Sequence, residues 1–286
     1  MQVRPEEIPA VAQLVYQLCG IVVDPSKGYL IESRLSGLAE AAGCANFSEF
    51  CRKVRGCADP LLRNQVINAI TTQETLFFRD GSPFDAFQHR VLPDLIDAKA
   101  GSLFPNRIRI WSAACSTGQE PYSIAMALCE LLPDISSWDV KILATDISDA
   151  AIQQASTGRY ARHEIQRGMK PQLLSKYFQE EPGGWLVRDP LRWLIAFQRR
   201  NLLEPFAALG PFDVIFCRNV AIYFDPQTRR SLFLRMSNRL ATDGALFVGA
   251  AESLSDMDAE FQPMHHCRAV YYRRKKRVGD AVGSRQ

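Results

Sequence analysis

From Glu6 to about Ile70 the apolar residues recur at spacings of three and four: Ile8, Val11, Leu14, Val15 and Leu18, then Leu30, Ile31, Leu35 and Leu38, then Phe47, Phe50 and Val54, then Leu62, Val66, Ile67 and Ile70. This period gives each of several short helices one apolar stripe. Asp24-Pro25 and Gly43 break the run, and Asn46 followed three residues later by Glu49 reads as a helix start. After about residue 106 the period changes. Short β-rich runs alternate with longer amphipathic ones, the pattern of a parallel sheet flanked by helices. Strands are predicted at 107–114, 140–145, 195–198, 214–217, 245–249 and 269–273, and helices at 121–132, 148–156 and 226–240. The chain therefore divides into a helical unit (1–72), a helix-bearing linker (73–106) and an α/β domain (107–286). Near 179–197 the latter carries a small antiparallel insertion, where Gly183-Gly184 reads as a tight turn and Trp185, Val187 and Trp193 suit short strands.

Composition narrows the function classes. The 286 residues are 47% hydrophobic, enough to bury a sizeable core, and 34 Lys plus Arg nearly balance 31 Asp plus Glu. A net charge of +3 makes no case for nucleic acid, and the basic run Arg273 to Arg277 reads as a solvated end. No segment has the apolar length of a membrane span, and the N-terminus lacks a signal pattern, so a cytoplasmic protein is expected. Eight cysteines without a C-x-x-C pair, and four histidines, read as buried thiols and no metal site. His265 and His266 are adjacent and would face opposite ways on a strand.

In an open α/β sheet the ligand lies beyond the carboxyl ends of the strands. The first strand runs into the small-residue turn Ala114 to Gly118, with no G-x-G-x-x-G and no G-K-[ST], so phosphate cradling is weakly supported and an oxidoreductase is the weaker alternative. After the second strand stands Asp146, an acceptor for two ribose hydroxyls; it could instead cap the next helix, a task Ser148 can take. Asn201-Leu202 follows the third strand, where an amide can meet an adenine edge. Polar Arg218 and Asn219 follow the fourth. These four strand ends favour a nucleoside not held mainly by phosphates, and S-adenosylmethionine fits.

The segments 71–80 (TTQETLFFRD), 111–123 (WSAACSTGQEPYS), 144–147 (ATDI) and 216–224 (FCRNVAIYF) resemble the signature segments of CheR-type chemotaxis receptor glutamate O-methyltransferases, in matching order over nearly the whole chain. The resemblance implies a Rossmann-like class I methyltransferase domain with a small antiparallel β insertion, preceded by a small all-helical domain. It implies S-adenosylmethionine as cofactor, leaving S-adenosylhomocysteine, with contacts from Gln73, Thr75, Arg79, Glu120, Asp146, Asn201, Leu202, Arg218 and Asn219. Arg79 and Tyr223 would flank the transferring methyl. The family usually has Asn where this chain has Gln73, and Gly-His-Ser-Glu where it has Gly249-Ala250-Ala251-Glu252.

The acceptor implied is a glutamate on the cytoplasmic helical domain of a methyl-accepting receptor, met by a monomer through Lys27, Arg34 and neighbouring cations. A non-chemotaxis receptor, or a relative that binds cofactor without catalysis, remains open at this level. Amine methyltransferases commonly carry Asn/Asp-Pro-Pro-aromatic where this chain has Arg218-Asn219-Val220-Ala221, which favours an oxygen acid. Some relatives capture a receptor-tail peptide, Asn-Trp-Glu-Thr-Phe, on the insertion as an added strand. The short insertion, with Pro182 and Pro190, predicts that this chain does not.

Overall fold

The computed structural model describes residues 1–56 and 60–275. The N-terminal unit contains α1 (Ile8–Cys19), α2 (Gly28–Ala41), α3 (Phe47–Gly56) and α4 (Pro60–Ile70). Their stripes meet in one core of Val11, Leu14, Val15, Ile31, Leu35, Phe47, Phe50, Val54, Val66 and Ile70. The expected punctuation is real. Asn46 Oδ1 accepts from Glu49 N (2.9 Å) while Glu49 Oε2 accepts from Ala45 N (2.8 Å). A further break, not among those expected, is Gly20, which ends α1 with a left-handed φ of 75°.

The segment expected as a linker packs instead as part of the sheet domain. Helix α5 (Ser82–Ala86) continues through a π-helical turn, Phe87–Val91, into α6 (Leu92–Lys99). The cause is aromatic: Phe84 stacks on Phe216 (6.0 Å between centroids), Phe216 on Phe247 (4.6 Å) and Phe247 on Tyr271 (5.5 Å). This ladder joins the helix to three strands of the sheet.

Beyond it run β1 (Arg107–Ala113), α7 (Gln119–Leu131), β2 (Asp139–Asp146), α8 (Asp149–Thr157), β3 (Arg159–Ala161), α9 (Arg162–Gln166), α10 (Pro171–Tyr177), β4 (Phe178–Glu181), β5 (Gly184–Val187), α11 (Asp189–Arg192), β6 (Ile195–Arg199), β7 (Phe212–Cys217), α12 (Pro226–Ser237), β8 (Leu240–Val248), β9 (Phe261–His266) and β10 (Ala269–Arg274). The main sheet has the order β6-β2-β1-β7-β8-β10-β9. Five strands are parallel, but β10 runs antiparallel to both β8 and β9, so the sheet is mixed rather than parallel throughout. A tight turn at Cys267-Arg268, both with left-handed φ, reverses the chain there. Strand order changes direction between β1 and β7, which opens a crevice at their carboxyl ends.

The insertion differs in extent from the 179–197 expected. Its three-stranded sheet, β3-β5-β4, takes one strand from Arg159–Ala161, too short to carry an alternation, whereas 195–197 belongs to the main sheet. The hairpin turns at Pro182-Gly183 (φ 90° at Gly183), and Gly184 is already paired in β5. A Cβ on Gly184 would collide with the Tyr160 carbonyl, so close strand approach accounts for the second glycine. Pro190 stands in α11, and Trp193 follows that helix, exposed, rather than lying in a strand.

The basic run beginning at Arg273 is not wholly solvated: Arg273 pairs with Asp94 (2.9 Å), while Lys276 and Arg277 lie outside the described residues. The seven described cysteines are unpaired, five of them buried; Cys57 lies outside the described residues. Among the described residues no helix is long and apolar enough to cross a membrane, and no three His, Cys, Asp or Glu side chains converge on one point.

A buried carboxylate locks the start of the chain to α3. Glu7 Oε1 accepts from Ser48 N (2.9 Å), and Glu7 Oε2 accepts from Arg4 Nε (3.2 Å). These bonds, Arg4 first, hold its carboxyl down from an ordinary 4.5 to about 2. A depressed folded-state pKa stabilises fully above the unfolded value and is lost as pH falls through the folded one. Glu7→Gln is expected to cost about 2 kcal/mol at pH 7, allowing for solvent screening of the exposed Arg4. In thermal melts the gap between wild type and variant should shrink as pH is lowered from 4.5 toward 2; a gap independent of pH would mean that Glu7 acts only through packing.

Candidate active site

The crevice between β1 and β7 opens into a cleft of about 930 Å³ including its mouth. Gln73, Thr75, Arg79, Glu120, Asp146, Asn201, Leu202, Arg218, Asn219 and Tyr223 all line it, drawn together from stretches as much as 150 residues apart. Of seven non-glycine residues with left-handed φ among those described, five cluster around it: Phe78, Asp80, Ala114, Ser116 and Asn219. Backbone held in this region is strained and persists only where surroundings over-determine it. Here the anchors are visible. Phe77 is fully buried edge-on to Tyr160 (5.0 Å) and Phe178 (5.6 Å), and Phe78 N donates to Ser123 Oγ (2.9 Å), which presents Arg79 to the cleft.

Asp146 ends β2. Its Oδ2 accepts from Ser116 N and its Oδ1 from Ser148 N, both at 2.9 Å. Ser148 Oγ caps α8 by accepting from Ala151 N (3.1 Å), so the aspartate is free of that duty. Two backbone donors fix the carboxylate's orientation and leave each oxygen a further lone pair. Burial raises its pKa above the ordinary carboxylate value, the backbone bonds opposing.

Glu120, in the first turn of α7, is buried. Ser112 Oγ donates to it at 2.8 Å and Arg218 Nη1 at 3.0 Å. Burial raises its pKa as well, against the pull of Arg218. Arg218 also donates through Nη2 to the Arg79 carbonyl and to Asp80 Oδ2, each 2.8 Å, with its guanidinium 5.5 Å from the Phe84 ring centroid. Arg79 Nη1 donates to the Glu74 carbonyl at 2.9 Å.

Two expected contacts are differently employed. Asn201 lines the cleft, but its Nδ2 donates to the Leu18 carbonyl (2.9 Å) and its Oδ1 accepts from Leu203 N (3.0 Å). Its amide thus ties the N-terminal unit to the wall. Gln73 Nε2 donates to Ser148 Oγ (2.9 Å), the longer side chain reaching the α8 cap. Lys27 and Arg34 lie outside the cleft. Lys27 is exposed, whereas Arg34 is half-buried and donates to the Ile70 carbonyl and to Thr72 Oγ1 (3.1 Å), fastening the exit of α4 rather than standing free.

The cleft also has walls that the strand-end reasoning did not reach: Cys19 and Ile21 from the end of α1, Thr71 and Thr72, and Arg200. The α1 pair carries no signal of its own, because an apolar stripe reads equally as core. Ser116 Oγ, Arg200 Nε and Arg218 Nε are buried with no protein partner. Such orphaned polar atoms fit a polar ligand. Acceptors at Asp146 and Glu120 suit hydroxyl and ammonium donors, and no glycine-rich phosphate loop is present. This chemistry matches S-adenosylmethionine, for which Asp146 would hold the ribose and Glu120 the amino-acid end.

A mixed seven-stranded sheet with such a cleft at its switch point defines a class I methyltransferase that uses S-adenosylmethionine. Residues 6–71 match the model of the CheR methyltransferase all-alpha domain, and 73–270 match that of the CheR methyltransferase S-adenosylmethionine-binding domain. Chemotaxis protein methyltransferase 1 of Pseudomonas aeruginosa is 41% identical over 262 residues, covering 90% of this chain and 93% of that protein. Chemotaxis protein methyltransferase Cher2 of Pseudomonas putida is 38% identical, covering 90% and 94%, and the chemotaxis protein methyltransferase of Vibrio parahaemolyticus 37%, covering 90% and 92%. The chain belongs to the CheR methyltransferase family, whose members methylate protein glutamates. The boundary at 73 agrees with the packing of the supposed linker into the sheet domain.

Asp146→Ala is expected to weaken S-adenosylhomocysteine binding by roughly 1.5–3 kcal/mol, about ten- to a hundredfold, without unfolding the chain. Wild-type affinity should also fall on the acid side, beginning above the ordinary carboxylate range of about 4, because both raised carboxyls lose their acceptor form on protonation. Calorimetric titration across pH checks both; unchanged affinity in the folded variant would refute the ribose assignment.

Proposed function

We propose that this protein esterifies glutamate side chains on the cytoplasmic helical domain of methyl-accepting chemotaxis receptors, acting as a cytoplasmic monomer. The observation that carries the reading is the convergence of Arg79 and Tyr223 with Asp146 and Glu120 on one cleft. S-adenosylmethionine supplies, when bound, an electrophilic methyl on a cationic sulfonium. The acceptor carboxylate is already ionised at neutral pH, with an ordinary pKa of about 4.3, so no general base is required. What the protein contributes is alignment and exclusion of water, effects worth up to about 7–11 kcal/mol.

In this reading Arg79 orients the incoming carboxylate and Tyr223 holds one of its oxygens. The Arg79 guanidinium is half-exposed and shared with the Glu74 carbonyl, which limits how tightly it grips the ground state. Thr75, Asn219 and Leu202 complete the cofactor wall, Leu202 and Asn201 through backbone. Glutamate-rich receptor helices favour a cationic partner, and exposed Lys27 is the candidate for direct contact, with Arg34 adding to the field.

Independence of the receptor-tail peptide is part of the proposal, but the prolines are not its reason, since neither stands on a sheet edge. Better support comes from the edges themselves. On β3, Gln154 Nε2 donates to the Arg159 carbonyl (2.9 Å) and Glu164 Oε2 accepts from Ala161 N (2.8 Å). On β4, Arg188 Nε donates to the Phe178 carbonyl (3.1 Å). Side chains already hold backbone groups that an added strand would need.

Purified protein with labelled cofactor should place base-labile methyl groups on receptor-containing membranes; binding of cofactor with no such labelling would sink the reading. Tyr223→Phe should slow single turnover about tenfold or more, ~1.4 kcal/mol, with cofactor affinity nearly intact. Full single-turnover rate in that variant would reduce Tyr223 to packing. Titration with Asn-Trp-Glu-Thr-Phe should give no heat, and saturable micromolar binding at the insertion would overturn that part.

A further inference from the structure

The loop that follows β7 carries Asn219, Val220 and Tyr223 into the cleft, yet it has little regular structure of its own. Asn219 is left-handed (φ 59°), and only a single 3-10 turn, Ala221–Tyr223, follows. Its amides converge instead on one side chain. Glu252 Oε2 accepts from Asn219 N (2.8 Å) and Gly249 N (2.6 Å). Oε1 accepts from Val220 N (3.1 Å), Ala221 N (2.8 Å) and Ile222 N (3.2 Å). Successive backbone N–H groups turned to one side form an anion-binding nest. Here the anion is the protein's own buried carboxylate, delivered by the turn after β8.

We propose that Glu252 is a positioning residue for methyl transfer: by filling this nest it sets the Asn219–Tyr223 loop in its working conformation. The inference rests on the role proposed for Tyr223. Glu252 does not itself line the cleft, so it acts through the loop. Gly249 is part of the device, because a Cβ there would lie 2.7 Å from both Asn219 Nδ2 and Glu252 Oε2.

The test uses the full chain with Glu252→Gln and Glu252→Ala. In Glu252→Gln one amide nitrogen must face N–H donors, so at least two of the five bonds are lost while side-chain size is kept. Hydrogen exchange of the 219–222 amides should quicken about tenfold or more in both variants, with exchange elsewhere in the sheet unchanged. Turnover should fall about tenfold or more, and by a clearly larger factor than S-adenosylhomocysteine affinity, which feels the loop only through Asn219. Formate should restore protection and part of the turnover in Glu252→Ala. Unchanged exchange at 219–222 in Glu252→Gln would overturn the proposal, as would quickened exchange with full turnover, or equal losses of turnover and cofactor affinity. If Glu252→Ala does not fold, Glu252→Gln alone decides. Because exchange needs no acceptor, it judges the nest even if receptor glutamates prove not to be the substrate, whereas a wild-type failure to label receptors would sink only the functional reading.

Discussion

Arg218 sits 5% exposed at the end of β7 and joins three segments that are remote in sequence. Its guanidinium bonds Glu120 at the start of α7, the carbonyl of Arg79 and the carboxylate of Asp80. Removing it would leave Glu120 buried without its counter-charge, a change that typically costs about 3–5 kcal/mol. Such a pair is expensive to desolvate and is weak evidence for stability; its effect here is positional. One cation fixes the height of the Arg79 loop relative to the sheet, and thereby the distance between the acceptor side of the cleft and Glu120.

The N-terminal unit completes the cleft rather than merely neighbouring it. Val22 N donates to the Tyr223 carbonyl (2.9 Å), Tyr16 Oη donates to Asp225 Oδ2 (2.9 Å), and the Leu18 carbonyl takes the Asn201 amide. A Cβ on Gly20 would press on Leu203 and Phe224, so the end of α1 lies close against the loops of the sheet domain. Lys27 and Arg34, proposed to meet a receptor, stand on the unit whose α1 end contacts the loop bearing Tyr223.

Local strain is distributed around the cleft by aromatic packing and backbone hydrogen bonds. Phe77 and Phe84 are core residues on either side of the left-handed Phe78 and Asp80, and they make the intervening geometry affordable. The same logic applies at Ala114 and Ser116, where Cys115 N donates to the Thr145 carbonyl (2.9 Å) and Ser116 N to Asp146. Without those bonds a turn of small residues has no reason to hold this shape.

Read alone, the residues of this chain determined two periodicities, hence a helical unit and an α/β domain, and they placed Asp146 and Arg218-Asn219 at strand ends where ligands bind. Those features are local: a period or a strand terminus is written in neighbouring residues. The quoted segments also carried the family resemblance, and with it every side chain found lining the cleft from that list. Tertiary structure alone decided the rest, because each of those features depends on contacts between distant segments. It decided that 73–106 belongs to the sheet domain, since the Phe84–Phe216–Phe247–Tyr271 ladder forms only after three strands assemble. It decided that Arg159–Ala161 is a strand, since three residues have no period until β5 pairs with them. It committed the amide of Asn201 to Leu18, fastened Arg34 to Ile70 and brought Cys19 and Ile21 to the cleft. The same long-range closure turned Glu252, which the sequence marked only as the end of a segment shared with the family, into a partner for four backbone N–H groups of the β7 loop, because nothing within three residues of it shows where that loop will come to rest.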